Sequence, residues 1–212
     1  MAGQAGMALC LLVHSIFLIA SLVTTYSYWT LFSPTRGALA RFYYLTFWSI
    51  CLQTIYYGLC VVTNFTSDRR RSSQLQRWRD NMHSCLAFPV GMFVVATFWA
   101  LFAIDRELHT AVCPFLVIDK YLVYHQYPVR HKGIPTACGL ALIYLAWILF
   151  IAYYEGFWVY PILQVLAMHE RAIFIGVCIM FFASFYILGE ALTKFIWRKE
   201  VQAKLSSKSK LK

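Results

Sequence analysis

The chain's 212 residues are 60 % apolar and 13 % charged, against ~25 % charged for a soluble globular domain, and the apolar residues come in long runs joined by short basic loops. This excludes an ordinary soluble core and points to membrane-spanning helices, because about 20 apolar residues at 1.5 Å rise match the hydrocarbon thickness. The net charge of +10 does not indicate nucleic acid, since the Lys and Arg residues occupy the loops and the tail after Trp197, where topology signals gather.

The first run, about 7–31, has no Lys or Arg before Arg36. It therefore lacks the positive n-region of a secretory signal and is long enough to cross the bilayer, so it reads as the first transmembrane helix. The second run, 43–64, and the third, 85–104, follow, with a kink expected at Phe88-Pro89 because proline removes a helix hydrogen bond. The fourth run, 110–124, is the shortest and carries Asp119 and Lys120 near its end, a pair expected to snorkel to the membrane edge rather than hold an ion. The fifth and sixth runs are 135–154 and 172–197. In the sixth, Glu190 has Lys194 one turn on, a pairing distance for i, i+4 charges, though the carboxylate could also line a cavity.

His14 and Thr24 read as packed, hydrogen-bonded groups. His125, His131 and Lys132 read as a solvated loop, and Trp78, Trp158, Tyr160 and Trp197 as interfacial rings. The expected fold class is all-α: a polytopic membrane protein with six transmembrane helices in a compact bundle over 1–198, and a basic disordered cytoplasmic tail over 199–212. With six crossings, 14 basic residues fall on the side of the termini, 4 on the other, and Lys120 within the fourth run. Cytoplasmic loops accumulate Lys and Arg, so both termini are expected in the cytoplasm.

Soluble-enzyme signatures are absent: there is no P-loop, no G-x-S-x-G elbow and no H-E-x-x-H. The seven cysteines form no C-x-x-C and read as small hydrophobes. No metal or cofactor is expected. Any chemistry must use polar groups at membrane depth. Thr46 near the start of the second span and His109 at the start of the fourth fall on the same, non-cytoplasmic side in a six-span topology. A threonine hydroxyl needs a base within reach to attack an ester, and an imidazole can serve. The pattern alone leaves the bland alternative open: a threonine bonded to its own helix backbone and a hydrated histidine.

Several strings carry a resemblance. Arg41-Phe-Tyr-Tyr-Leu-Thr-Phe, Leu86-Ala-Phe-Pro-Val-Gly, Asp105-Arg-Glu, His109-Thr-Ala-Val-Cys-Pro-Phe, His125-Gln-Tyr-Pro, Gly156-Phe-Trp-Val-Tyr-Pro and Leu188-Gly-Glu occur in this order from the second span to the sixth. Together they resemble the family of androgen-induced gene one and androgen-dependent TFPI-regulating proteins. The resemblance implies six spans with cytoplasmic ends and hydrolysis of fatty acid esters of hydroxy fatty acids, with the family threonine on Thr46 and the family histidine on His109. It implies a branched lipid ester as substrate, no cofactor, and residence in the plasma membrane or endoplasmic reticulum. Arg41 and Arg106, on the same side, are candidate partners for the substrate's carboxylate. One departure stands out: family members carry an additional stretch between the Asp-Arg-Glu and His-Thr strings, whereas here Glu107 is followed at once by Leu108-His109. This shortened connection favours an alternative, a non-catalytic membrane regulator or lipid-binding protein of the same fold.

The tripeptide Asn64-Phe65-Thr66 is an N-glycosylation sequon that the expected topology places on the cytoplasmic side. Asn64 should therefore remain unmodified, and a mobility shift abolished by endoglycosidase treatment would invert the orientation.

Overall fold

The computed structural model describes residues 4–31, 38–66, 74–101, 112–199 and 201–202, and among these every regular element is helical. The elements are α1 (Gln4–Leu31), a 3-10 turn (Ala38–Tyr43), α2 (Leu45–Thr66), α3 (Gln74–Met82), a π-turn (His83–Ala87), α4 (Phe88–Leu101), α5 (Val112–Leu122), α6 (Arg130–Tyr154), α7 (Pro161–Val165) and α8 (Met168–Ile196). Helices dominate for a physical reason: in hydrocarbon every backbone N–H and C=O must be satisfied within its own segment.

Five helices are long and apolar enough to cross a membrane: Gly6–Leu31, Leu45–Thr66, Gln74–Ala100, Arg130–Tyr154 and Met168–Ile196. Within the expected fourth span the described residues form α5, Val112–Leu122. Asp119 and Lys120 do not snorkel. They are 0 % and 1 % exposed, because facing elements supply their partners. Lys120 Nζ donates to the Tyr127 hydroxyl (2.8 Å), the Gly189 carbonyl (3.1 Å) and Thr193 Oγ1 (3.1 Å) and lies 4.2 Å from the Phe88 ring centroid. The third span begins earlier than its apolar run, at Gln74, since α3, the π-turn and α4 form one continuous helix. The break expected at Phe88-Pro89 takes the form of the π-turn, where Phe88 N–H bonds the His83 carbonyl. Placed just before a residue that lacks an N–H, this wider turn relieves the proline's clash with the preceding turn.

The contacts sort the chain into two ends. At one end Cys10, Asn64, Asp80, Asp119 and His125 converge, and Trp197 Nε1 donates to the Lys120 carbonyl (2.7 Å). There Glu190 accepts from both Arg130 (2.7 Å) and Lys194, so the expected i, i+4 pair forms and gains a second cation from α6. At the other end the 3-10 turn is pinned by the indole N–H groups of Trp48 and Trp147, both donating to the Phe42 carbonyl at 2.8 Å.

Close helix approach depends on glycines, Gly91, Gly133 and Gly189 among them. Tyr186 lies against Gly133, and its hydroxyl donates to the Pro128 carbonyl (2.7 Å). A Cβ on Gly189 would meet the Tyr127 hydroxyl and stand 2.7 Å from Phe88 Cδ1. Neither can yield easily: Phe88 is fully buried and Tyr127 is held by Lys120. Gly176, on the same helix, has nothing within 4 Å of such a Cβ. Gly189→Ala should therefore destabilise the protein by about 1–3 kcal/mol, whereas Gly176→Ala should be neutral or slightly stabilising, as read by thermal unfolding in detergent.

Candidate functional site

Thr46 occupies the first turn of α2, just after the 3-10 turn. Its position decides what its hydroxyl can do. Thr24, Thr25, Thr54, Thr63, Thr97 and Thr136 each donate to a carbonyl four residues earlier in their own helix, the usual resting state of a threonine in a membrane helix. For Thr46 the residue four earlier, Phe42, lies in the 3-10 turn, and its carbonyl is already taken by Trp48 and Trp147. Among the described residues the Thr46 hydroxyl has no hydrogen-bond partner, and it lines a cavity of about 200 Å³.

The cavity wall is almost wholly apolar, built from α2, α4, α6, α7 and α8 with residues such as Phe93, Ile148, Leu163 and Phe182. Its polar groups beside Thr46 are two phenols. Leu45 N–H donates to the Tyr160 hydroxyl (3.3 Å), Tyr160 and Tyr144 share a hydrogen bond of 2.7 Å, and Tyr144 donates to the Tyr43 carbonyl (2.7 Å). Tyr160 thus holds the start of α2. Burial pushes its phenol above its ordinary value, so it remains a protonated donor.

His109 and Arg106 lie among residues 102–111, outside the described residues. Arg41 is turned to Trp29, donating to its carbonyl (2.8 Å) with the guanidinium 4.5 Å from the ring centroid.

A second polar constellation was not legible from sequence. Its centre is the Asp119 carboxylate. Oδ1 accepts from His14 Nε2 (2.8 Å); toward Oδ2 point the Tyr56 hydroxyl, His125 Nε2 (3.0 Å) and His83 Nδ1 (3.2 Å). The Asn64 side-chain amide lies 2.8 Å from His14 Nδ1. His125 Nδ1 reaches Asp80 Oδ1 (3.2 Å), and Arg79 holds the same oxygen at 2.8 Å. His125 is 1 % exposed and so belongs to the interior, not to a solvated loop, because Asp80 and Asp119 flank it. Two ligand-bearing groups arise here, His83–Asp119–His125 and His14–Cys60–Asp119, each with ligand atoms within 4.8 Å of one another. The available signal was the presence of polar residues at His14 and Tyr56 on apolar runs and at His83 just before one. Their convergence depends on helix rotation.

The FAR-17a/AIG1-like protein profile matches residues 10–108 and 107–194, two segments that meet where the connection before His109 is short. The chain is similar to the androgen-induced gene 1 protein of Homo sapiens, 34 % identical over 182 residues covering 73 % of this chain and 76 % of that protein. It is also similar to the androgen-dependent TFPI-regulating proteins of Homo sapiens, 32 % identical over 179 residues (74 % and 78 % of the two chains), and of Mesocricetus auratus, 28 % over 186 residues (78 % and 80 %). No solved structure matches the chain.

Removing the Asp119 carboxylate leaves buried donors from several elements without an acceptor. Asp119→Ala should destabilise the protein by about 3–5 kcal/mol, with Asp119→Asn milder, as measured by unfolding in detergent.

Proposed function

The chain belongs to the FAR-17a/AIG1-like protein family, and from that membership together with the Thr46 cavity we propose that it is an intramembrane hydrolase cleaving the ester bond of fatty acid esters of hydroxy fatty acids. Thr46 is the nucleophile and His109 the base. The observation that carries this reading is a threonine hydroxyl free of its own helix backbone on the wall of an apolar cavity. Such walls suit acyl chains, with a few polar groups to orient the ester.

In the first half-reaction Thr46 Oγ attacks the ester carbonyl carbon while His109 takes the hydroxyl proton. Collapse of the tetrahedral intermediate breaks the bond to the hydroxy fatty acid's oxygen, which receives that proton from His109, leaving an acyl-threonine. In the second half, water gives a proton to His109 and its oxygen attacks the acyl carbonyl, and Thr46 leaves with the proton returned. The phenols of Tyr160 and Tyr144 line the same cavity and hold the start of α2, whose first turn presents a helix N-terminus that favours developing negative charge. The reaction requires no cofactor.

The proposed orientation places the end holding Asp119, His125 and the Lys-rich tail in the cytoplasm, following the excess of Lys and Arg there. Thr46 then faces the opposite leaflet, in the plasma membrane or endoplasmic reticulum. The bilayer supplies the lipid substrate. A second reading, a non-catalytic regulator or lipid-binding protein of the same fold, is favoured by the short connection at which the two matched segments meet.

Membranes carrying wild type, Thr46→Ala or His109→Ala, equalised for expression, separate the two readings by fluorophosphonate labelling and by turnover of a branched fatty acid ester. The hydrolase reading expects wild-type labelling that disappears in Thr46→Ala, and turnover lowered by about 10²–10⁴-fold in His109→Ala. Absence of labelling and turnover in wild type, with lipid binding retained, would establish the non-catalytic reading.

A further inference from the structure

We propose that His83, His125 and Asp119 bind a divalent transition-metal ion such as Zn²⁺ inside the bundle, at the end opposite Thr46. Two imidazoles and one carboxylate form a nitrogen–oxygen set that suits Zn²⁺ and its neighbours better than Mg²⁺ or Ca²⁺. The spacing also fits. Two ligands each ~2.0 Å from a tetrahedral ion stand ~3.3 Å apart, and here His83 Nδ1 and His125 Nε2 lie 3.2 Å and 3.0 Å from Asp119 Oδ2. All three ligand atoms fall within 4.8 Å of one another.

Two features of the hydrogen bonding call for a cation at this point. His83 is fully buried, yet neither ring nitrogen has a hydrogen-bond partner among the described residues; its Nδ1 approaches Asp119 Oδ2 without the alignment of a hydrogen bond. An unsatisfied imidazole in the interior is costly, and ligation would remove that cost. His125, stacked on His83 with ring centroids 3.9 Å apart, lies between two carboxylates, with Nδ1 against Asp80 Oδ1 and Nε2 3.0 Å from Asp119 Oδ2.

The surroundings match a metal site's outer shell. A ligating histidine usually donates its other N–H to a carboxylate, which sets the tautomer and the ring orientation. Asp80 does this for His125 and is itself held by Arg79. Asp119 Oδ1, turned away from the ion, is fixed by His14. The ion would join the π-turn, α5 and the connection after α5. Tyr56 at this cluster and Thr46 are ten residues apart on α2, a rise of ~15 Å, so the site is structural and independent of the ester chemistry.

The test uses the full chain in detergent, stripped with a chelator and titrated with Zn²⁺ against a fluorescent Zn²⁺ indicator, beside His83→Leu and Asp80→Asn. Wild type should take up one Zn²⁺ per chain and gain thermal stability on doing so, with a zinc-edge X-ray absorption spectrum showing two imidazole ligands. Because the His83 nitrogens hold no hydrogen bond, His83→Leu should fold and elute as wild type does. Its zinc affinity should fall by about 100-fold or more, and that of Asp80→Asn by about 10–100-fold. Absence of stoichiometric uptake by folded wild type, or uptake unchanged in His83→Leu, would overturn the proposal.

Discussion

The Asp119 carboxylate is the interaction on which the arrangement of this bundle rests. Helices in hydrocarbon gain little from burying apolar side chains against one another, because lipid tails are as apolar as the helices themselves. Polar contacts and close packing must set their positions. Asp119, at 0 % exposure, draws in His14 from α1, Tyr56 from α2 and His125 from the connection after α5. Each of these groups is expensive to leave unpaired in a low-dielectric interior, so rotating any one of the helices strands a donor. Lys120, the next residue, points the other way and binds the α8 backbone and side chains. The adjacent pair thereby ties opposite sides of the bundle to one short helix.

This polar end allows the other end to be apolar and partly hollow. With the helices registered at Asp119, Glu190 and Gly189, the far ends of α2, α4, α6 and α8 need only dispersion contacts and can enclose a cavity of about 200 Å³. The 3-10 turn matters here. By ending just before Thr46 and giving its Phe42 carbonyl to two tryptophans, it withholds from Thr46 the backbone partner that Thr24, Thr54, Thr63 and Thr97 find in their own helices. The Tyr160–Tyr144 chain fixes the start of α2 at the same place. A reactive hydroxyl therefore follows from a local irregularity, in line with the tendency of functional groups to sit where regular structure is interrupted.

The sequence by itself determined the class of protein and where most helices run, because membrane insertion depends on summed apolar content and length, properties that need no neighbour. Runs 7–31, 43–64, 135–154 and 172–197 correspond to α1, α2, α6 and α8 within a few residues, and family motifs at Thr46 and His125-Gln-Tyr-Pro were readable as strings. The Glu190–Lys194 pair was legible as well, since i, i+4 spacing is set within one helix. What only the tertiary structure decided was the fate of polar groups whose partners lie elsewhere in the chain. Asp119 and Lys120 looked like a snorkelling pair, and His125 like a loop residue, because partners 45 to 105 residues away in sequence have no signature in a local window.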